Sequence, residues 1–118
     1  MSLLKRADSF RFALKGLSDL LRSQPNARIH LAIAVLVSLA GFFFRISRME
    51  WIAVVICIVL VFALEAVNTA LEYLTDLTSP EYNPLAGKAK DVAAAAVLLV
   101  AFGALIVGLI IFLPKLWP

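Results

Sequence analysis

Glu65-Ala66-Val67-Asn68-Thr69-Ala70-Leu71-Glu72-Tyr73-Leu74-Thr75-Asp76 is the stretch that decides how this chain is read. It follows an unbroken apolar run, Trp51 to Leu64, of the kind that crosses a membrane. At about 100° per residue, Glu65, Asn68, Glu72 and Asp76 fall on one face of a helix. Three acids and an amide therefore project together near a membrane boundary. A carboxylate at membrane depth costs roughly 2.5–3.5 kcal/mol on insertion scales, so such residues are functional candidates.

The rest of the composition agrees with a membrane setting. Of 118 residues, 63% are hydrophobic, and the mean hydropathy is +0.96. Soluble domains sit near roughly 45–50% apolar. The economical reading is one all-α integral membrane domain covering residues 1–118. The single cysteine, Cys57, lies inside an apolar run and has no intrachain disulfide partner. It reads as a small packing residue. The first 28 residues are basic and amphipathic, without the compact apolar core and small-residue cleavage site of a signal peptide.

Residues 3–22 have the pattern of an amphipathic helix. Leu3, Ala7, Phe10, Leu14, Leu17 and Leu21 recur at spacings of three and four, while Lys5, Arg6, Arg11, Lys15 and Arg22 supply positive charge. A helix of this kind suits the headgroup layer of an anionic membrane. A helix packed on other protein would show the same pattern, but the following spans leave little soluble core to receive it. The stretch Ser23-Gln24-Pro25-Asn26 is expected to break the helix.

Three spans follow. The first is expected over 27–44, with Arg28 and His30 at its polar end. His30 is the sole histidine, so it reads as an interfacial or hydrogen-bonded residue rather than a zinc ligand. Ser47 and Glu50 have capping-box spacing and start a second helix over 48–77. At 1.5 Å per residue this helix is about 45 Å long, more than the ~30 Å hydrocarbon core. With Trp51 at one interface, Glu65 lies about 21 Å along and Glu72 about 31 Å along. Ser79-Pro80 and Asn83-Pro84 mark a loop over 78–87. A third span is expected over 85–113, ended by Pro114. Eight Lys and Arg residues lie on the N-terminal side of the membrane against three on the other, Arg45, Arg48 and Lys115. That asymmetry places the N-terminus in the cytoplasm.

These residues suit phosphoryl transfer, which needs a base or positioner for the nucleophile, a metal and a cation on the phosphates. Glu65, partly desolvated, has the character of a general base. Glu72, two turns nearer water, suits a hard cation; Mg²⁺ takes one or two carboxylates plus phosphate oxygens. Lys88 and Lys90 either neutralise phosphate or simply hold a loop on the cytoplasmic side. Gly87-Lys88 is not a phosphate-binding loop, since the upstream glycine is missing and Ala89 follows. The acidic stripe also admits a reading as a polar seam between helices.

Residues 65–76 resemble the signature of the prokaryotic diacylglycerol kinase family, which includes undecaprenol kinases. The similarity continues in Ala89-Lys90-Asp91-Val92-Ala93-Ala94-Ala95-Ala96-Val97, in Phe12-Ala13-Leu14-Lys15-Gly16 and in Asn26-Ala27-Arg28-Ile29-His30. It covers nearly the whole chain. The resemblance implies a homotrimeric helix bundle in the bacterial inner membrane, each subunit with a surface helix and three transmembrane helices, and active sites between subunits. It implies a kinase using ATP and Mg²⁺ on a membrane lipid alcohol, diacylglycerol or undecaprenol. Glu65 is then the catalytic base on the lipid hydroxyl, and Asn68 helps position the reacting groups. Glu72 is a metal ligand. Lys90, Asp91, Glu81 and Asn83 contact the nucleotide. Lys5 and Phe12 occupy positions that reach nucleotide and lipid, where relatives carry Arg and Tyr; Phe lacks the hydroxyl and Lys the forked donors. Relatives carry a Glu metal ligand where this chain has Gln24, which keeps a carbonyl oxygen but loses the charge. Impaired metal binding is the expected consequence. The Asn-x-Arg-Ile-His segment and the Phe112-Leu113-Pro114-Lys115 ending look slightly more like undecaprenol kinases.

The alternative from another class is a non-enzymatic membrane oligomer, either ion-conducting or an accessory subunit. Acidic stripes line such pathways too. A conducting path, however, places polar residues through the full depth of the bilayer, and here the stripe stops at Glu65.

Overall fold

The computed structural model describes residues 2–117 as four helices in the order α1 Leu3–Ser23, α2 Pro25–Phe43, α3 Arg48–Thr78 and α4 Pro84–Leu116. The last three are long and apolar enough to cross a membrane. α3 packs on every other helix, most extensively on α4. The Cα radius of gyration is 17.5 Å, well above the about 13–14 Å of a compact domain of this length. The chain is a slab of 55 × 42 × 22 Å with little interior. Large apolar side chains such as Leu36, Phe43, Leu99 and Ile110 stand outward on the spans. In water that would be untenable; against hydrocarbon or neighbouring helices it is the expected arrangement.

The α2–α3 turn shows how local chemistry builds the packed end. Arg45 adopts the left-handed region, with φ of 52°. Its N–H donates to the carbonyl of Phe42 at 3.3 Å, and that of Ile46 donates to the carbonyl of Gly41 at 3.1 Å. This pair of bonds is a Schellman ending, which satisfies the last carbonyls of α2. It also swings Ile46 inward, where it is buried with Val54 and Ile111. Ser47 then caps α3: its Oγ accepts from the Glu50 N–H at 3.2 Å, and Glu50 Oε1 accepts from the Ser47 N–H at 2.9 Å. The expected capping box is therefore present.

Gly41 permits the close approach that this packing needs. A Cβ there would lie 2.7 Å from Cη2 of Trp51, inside any tolerable contact. Phe42 packs on the same indole with ring centres 4.8 Å apart. Across the turn, Lys115 near the end of α4 donates to Glu50 at 2.7 Å and to the carbonyl of Ile111 at 3.1 Å.

Three expected helix limits differ in the structure, each because a helix runs further. Only Gln24 is non-helical between α1 and α2, because Pro25 occupies the first position of α2. There its missing N–H is one of the donors a helix start leaves free, and its φ suits the helix. Pro114 does not end the third span; α4 continues to Leu116 with the proline inside it. The ring removes the N–H that would bond the Ile110 carbonyl, and less than one further turn of helix follows it. Lys115 ties that turn down through Glu50. The loop between α3 and α4 is likewise only Ser79 to Asn83.

Candidate functional site

The acidic face of α3 lies at the other end of the bundle. Glu65, Asn68 and Thr69 are buried, at 2%, 8% and 4% exposure. Burial of the Glu65 carboxylate is deeper than the partial desolvation expected from its place along the helix. Asn68 Nδ2 donates to Glu72 Oε1 at 3.1 Å, so the amide and the second carboxylate act as one unit one turn apart. Three buried atoms have no hydrogen-bond partner among the described residues: Glu65 Oε2, Asn68 Oδ1 and Thr69 Oγ1. Leaving a buried acceptor unpaired costs about 1–3 kcal/mol, so three together on one face mark a place built to receive something.

His30 of α2 faces this site. Its Nε2 lies 3.5 Å from Glu65 Oε2. It also lines an apolar groove of about 470 Å³ between α2, α3 and α4. Ile33, Val37, Val61, Leu105 and Phe112 are among the other walls, and Cys57 is a small lining residue there. The groove exists because α2 and α4 both pack on α3 while their backbones do not approach each other.

α1 is fastened at its C-terminal end. The Tyr73 hydroxyl donates to Asp19 Oδ2 at 2.7 Å and lies 3.2 Å from the Ser23 hydroxyl. Arg28 Nη1 donates to the carbonyls of Leu21 and Arg22 at 3.0 and 2.8 Å, closing the end of α1. Gln24 follows directly on Ser23, whose hydroxyl lies against that of Tyr73. The Gln24 side chain makes no capping bond to α2.

The remaining expected site residues are distributed as follows. Lys90 pairs with Asp76, which links the start of α4 to the acidic face. Asp91, the next residue in α4, and Glu81, in the α3–α4 loop, are exposed. Asn83 is committed to capping α4, its Oδ1 accepting from the Leu85 N–H at 2.9 Å. Lys5 and Phe12 are exposed on the outer part of α1; Arg11 stacks on the Phe12 ring, 5.5 Å from its centre. Within one chain, then, the fold gathers Glu65, Asn68, Glu72 and His30, with Lys90 and Asp76 below them. It does not bring Lys5 or Phe12 into a hydrogen bond with that group. Thr69 was not picked out from the sequence, although it flanks Asn68. Tyr73 and Asp19 had no signal there, since their partnership spans 54 residues.

A metal can be tested against this donor set. No group of three or more His, Cys, Asp or Glu side chains able to hold a metal occurs among the described residues. Glu72 with an amide carbonyl from Gln24 is a sparse set, unsuited to Ca²⁺ or Zn²⁺ alone. Its hard oxygen donors are of the kind Mg²⁺ takes, with the remaining ligands coming from phosphate and water. Glu72, half-buried and held by Asn68, would be the anionic ligand.

Comparisons with known proteins agree with the motifs. The family profile described as "Prokaryotic diacylglycerol kinase" matches residues 11–112. The undecaprenol kinase of Bacillus subtilis (strain 168) is 42% identical over 108 residues, covering 92% of this chain and 88% of that protein. A diacylglycerol kinase of Synechocystis is also 42% identical, over 109 residues, but this chain spans only 62% of its length. A diacylglycerol kinase of Haemophilus influenzae is 29% identical over 78% of both chains.

Proposed function

The chain belongs to the prokaryotic diacylglycerol kinase family and is a lipid kinase, and from that premise we propose that it transfers the γ-phosphate of ATP, with Mg²⁺, to the hydroxyl of a membrane lipid alcohol. Undecaprenol is the first candidate acceptor and diacylglycerol the second. The Asn26-x-Arg28-Ile29-His30 segment supports that order, as does the near-complete overlap with the Bacillus undecaprenol kinase.

The observation that carries the chemistry is the buried Glu65 carboxylate with one oxygen unpartnered, one face away from water and two turns above Glu72. Glu65 takes the proton of the lipid hydroxyl. The freed oxygen forms a bond to the γ-phosphorus while the bond from that phosphorus to the β–γ bridging oxygen breaks and ADP leaves. Mg²⁺, held by Glu72 and Gln24 with the phosphates, would offset charge on the transferring group. Lys90, released from Asp76 or shared with it, adds positive charge beside the phosphates. Asn68 keeps Glu72 oriented. The apolar groove offers the hydrocarbon body of the acceptor a place beside the base. A chemistry of positioning and charge needs no soluble domain.

The slab leaves Asp76 exposed and Glu72 and Lys90 half-buried, so the reading includes a homotrimer in the bacterial inner membrane. α1 lies along the headgroups with its N-terminus in the cytoplasm. Lys5 and Phe12 would then meet a site through a neighbouring subunit. The test is phosphate transfer from labelled ATP by the purified protein in mixed micelles, with undecaprenol and diacylglycerol offered separately. Labelled product on either lipid supports the reading and names the acceptor. No product on either lipid, from the protein or from its Gln24→Glu variant, overturns it. Gln24→Glu should lower the Mg²⁺ needed for half-maximal turnover; an unchanged Mg²⁺ titration removes Gln24 from the metal site.

A further inference from the structure

Glu65 has a carboxylate that is 3% exposed and one oxygen without a hydrogen bond. A carboxylate turns readily about its last torsion, which has only broad preferences. As a base it must present one oxygen to the incoming hydroxyl and hold the other still. Asn68, the nearest amide on the same face, is turned to Glu72 instead. No Lys or Arg among the described residues forms an ion pair with Glu65.

The group that does face Glu65 is the His30 ring, one-fifth exposed, with Nε2 at 3.5 Å from the orphaned oxygen. His30 makes no other ion pair or side-chain hydrogen bond among the described residues. That separation is a few tenths of an ångström beyond a hydrogen bond of about 2.7–3.2 Å. Catalytic hydrogen bonds commonly tighten when the reacting partners are bound. The ring also forms part of the groove wall. A hydrocarbon chain in the groove would exclude water from the pair and strengthen the bond.

Resting on the reading of Glu65 as the base, we infer that His30 is its positioning residue. The imidazole donates its Nε2–H to Glu65 Oε2 and thereby presents Oε1 to the lipid hydroxyl. The contact crosses from α2 to α3, so the seating of the first span on the second sets the aim of the base. His30 takes no proton in the reaction. Its contribution is geometric and acts through Glu65.

The test uses the full-length protein in mixed micelles with the acceptor identified above, comparing wild type, His30→Ala, His30→Gln and Glu65→Gln. His30→Ala should lower kcat roughly 10–100-fold, the scale of a misaimed catalytic group. Its KM for ATP should stay within about twofold, since nucleotide binding does not involve the pair. His30→Gln, with an amide N–H of similar reach, should recover most of the loss. Thermal unfolding supplies a readout independent of turnover: His30→Ala should lower the midpoint less in a Glu65→Gln background than in wild type, because the partner carboxylate is gone. A kcat for His30→Ala within about threefold of wild type, or equal losses for the Ala and Gln variants, overturns the inference. An active Glu65→Gln protein sinks the base assignment and this inference together. An inactive Glu65→Gln protein with an unimpaired His30→Ala protein sinks only the role of His30.

Discussion

The two ends of the α3 helix are built from the same kinds of residue and treat polar groups in opposite ways. At the Phe44–Ser47 end, Glu50 is bonded by Ser47 and Lys115, and the Schellman ending satisfies the carbonyls of α2. Ile46, Val54 and Ile111 are buried around Trp51 and Phe112. At the acidic end, Glu65, Asn68 and Thr69 are buried with an unpaired atom each, and the apolar groove that starts beside Val54 and Phe112 reaches this end only at His30. One end stabilises the pairing of helices. The other holds unsatisfied groups that do not stabilise this chain, which is the cost that the proposed function accounts for.

That contrast can be broken by experiment. The largest effect should come from Glu65→Gln, which removes the base and leaves Glu72: turnover falls by about 10²–10⁴-fold, while ATP binding, measured by equilibrium titration, stays near wild type. Near-normal turnover would show that the acidic end does not hold the base. Gly41→Val forces a branched side chain into the Trp51 indole and should destabilise by about 1–3 kcal/mol. Its unfolding midpoint in micelles should drop, while the protein that remains folded keeps its kcat. Lost turnover without lost stability would mean the two ends are not separable.

Glu72→Gln should leave the fold intact and raise the Mg²⁺ needed for half-maximal turnover by about tenfold, the scale of losing one anionic ligand. An unaltered Mg²⁺ titration would take Glu72 out of the metal site. The smallest effect should come from Lys115→Met, which keeps the apolar stem and removes a partly exposed ion pair. A loss of about 0–1 kcal/mol is expected, read as a small shift in the unfolding midpoint. A larger loss would show that the Glu50–Lys115 link, and not the apolar cluster beneath it, holds that end together.

Much of this protein is legible in its sequence. Four helices, their approximate limits and three spans follow from apolar runs and periodicity, because in a membrane each span must satisfy its own backbone. The face shared by Glu65, Asn68 and Glu72 follows from helical geometry alone, and the Ser47–Glu50 capping box from spacing. The misjudged limits at Pro25 and Pro114 were local too. Proline breaks a helix interior but is tolerated at the first position and in the last turn, and the letters alone do not say which of these applies.

What only the tertiary structure decided is which distant residues meet. Tyr73 reaches Asp19 across 54 residues, Lys115 reaches Glu50 across 65, and Lys90 is taken up by Asp76. His30 stands against Glu65 because α2 leans on α3 at that level. Periodicity reports which face a side chain occupies along its own helix. It carries no information about the rotation and height at which a second helix docks, and those are set by ridges, small residues such as Gly41, and the few side chains that bridge them. The sequence therefore determined that an acidic face exists at one end of a span; the packing of the helices decided that a histidine would face Glu65 and that a groove would open beside that histidine.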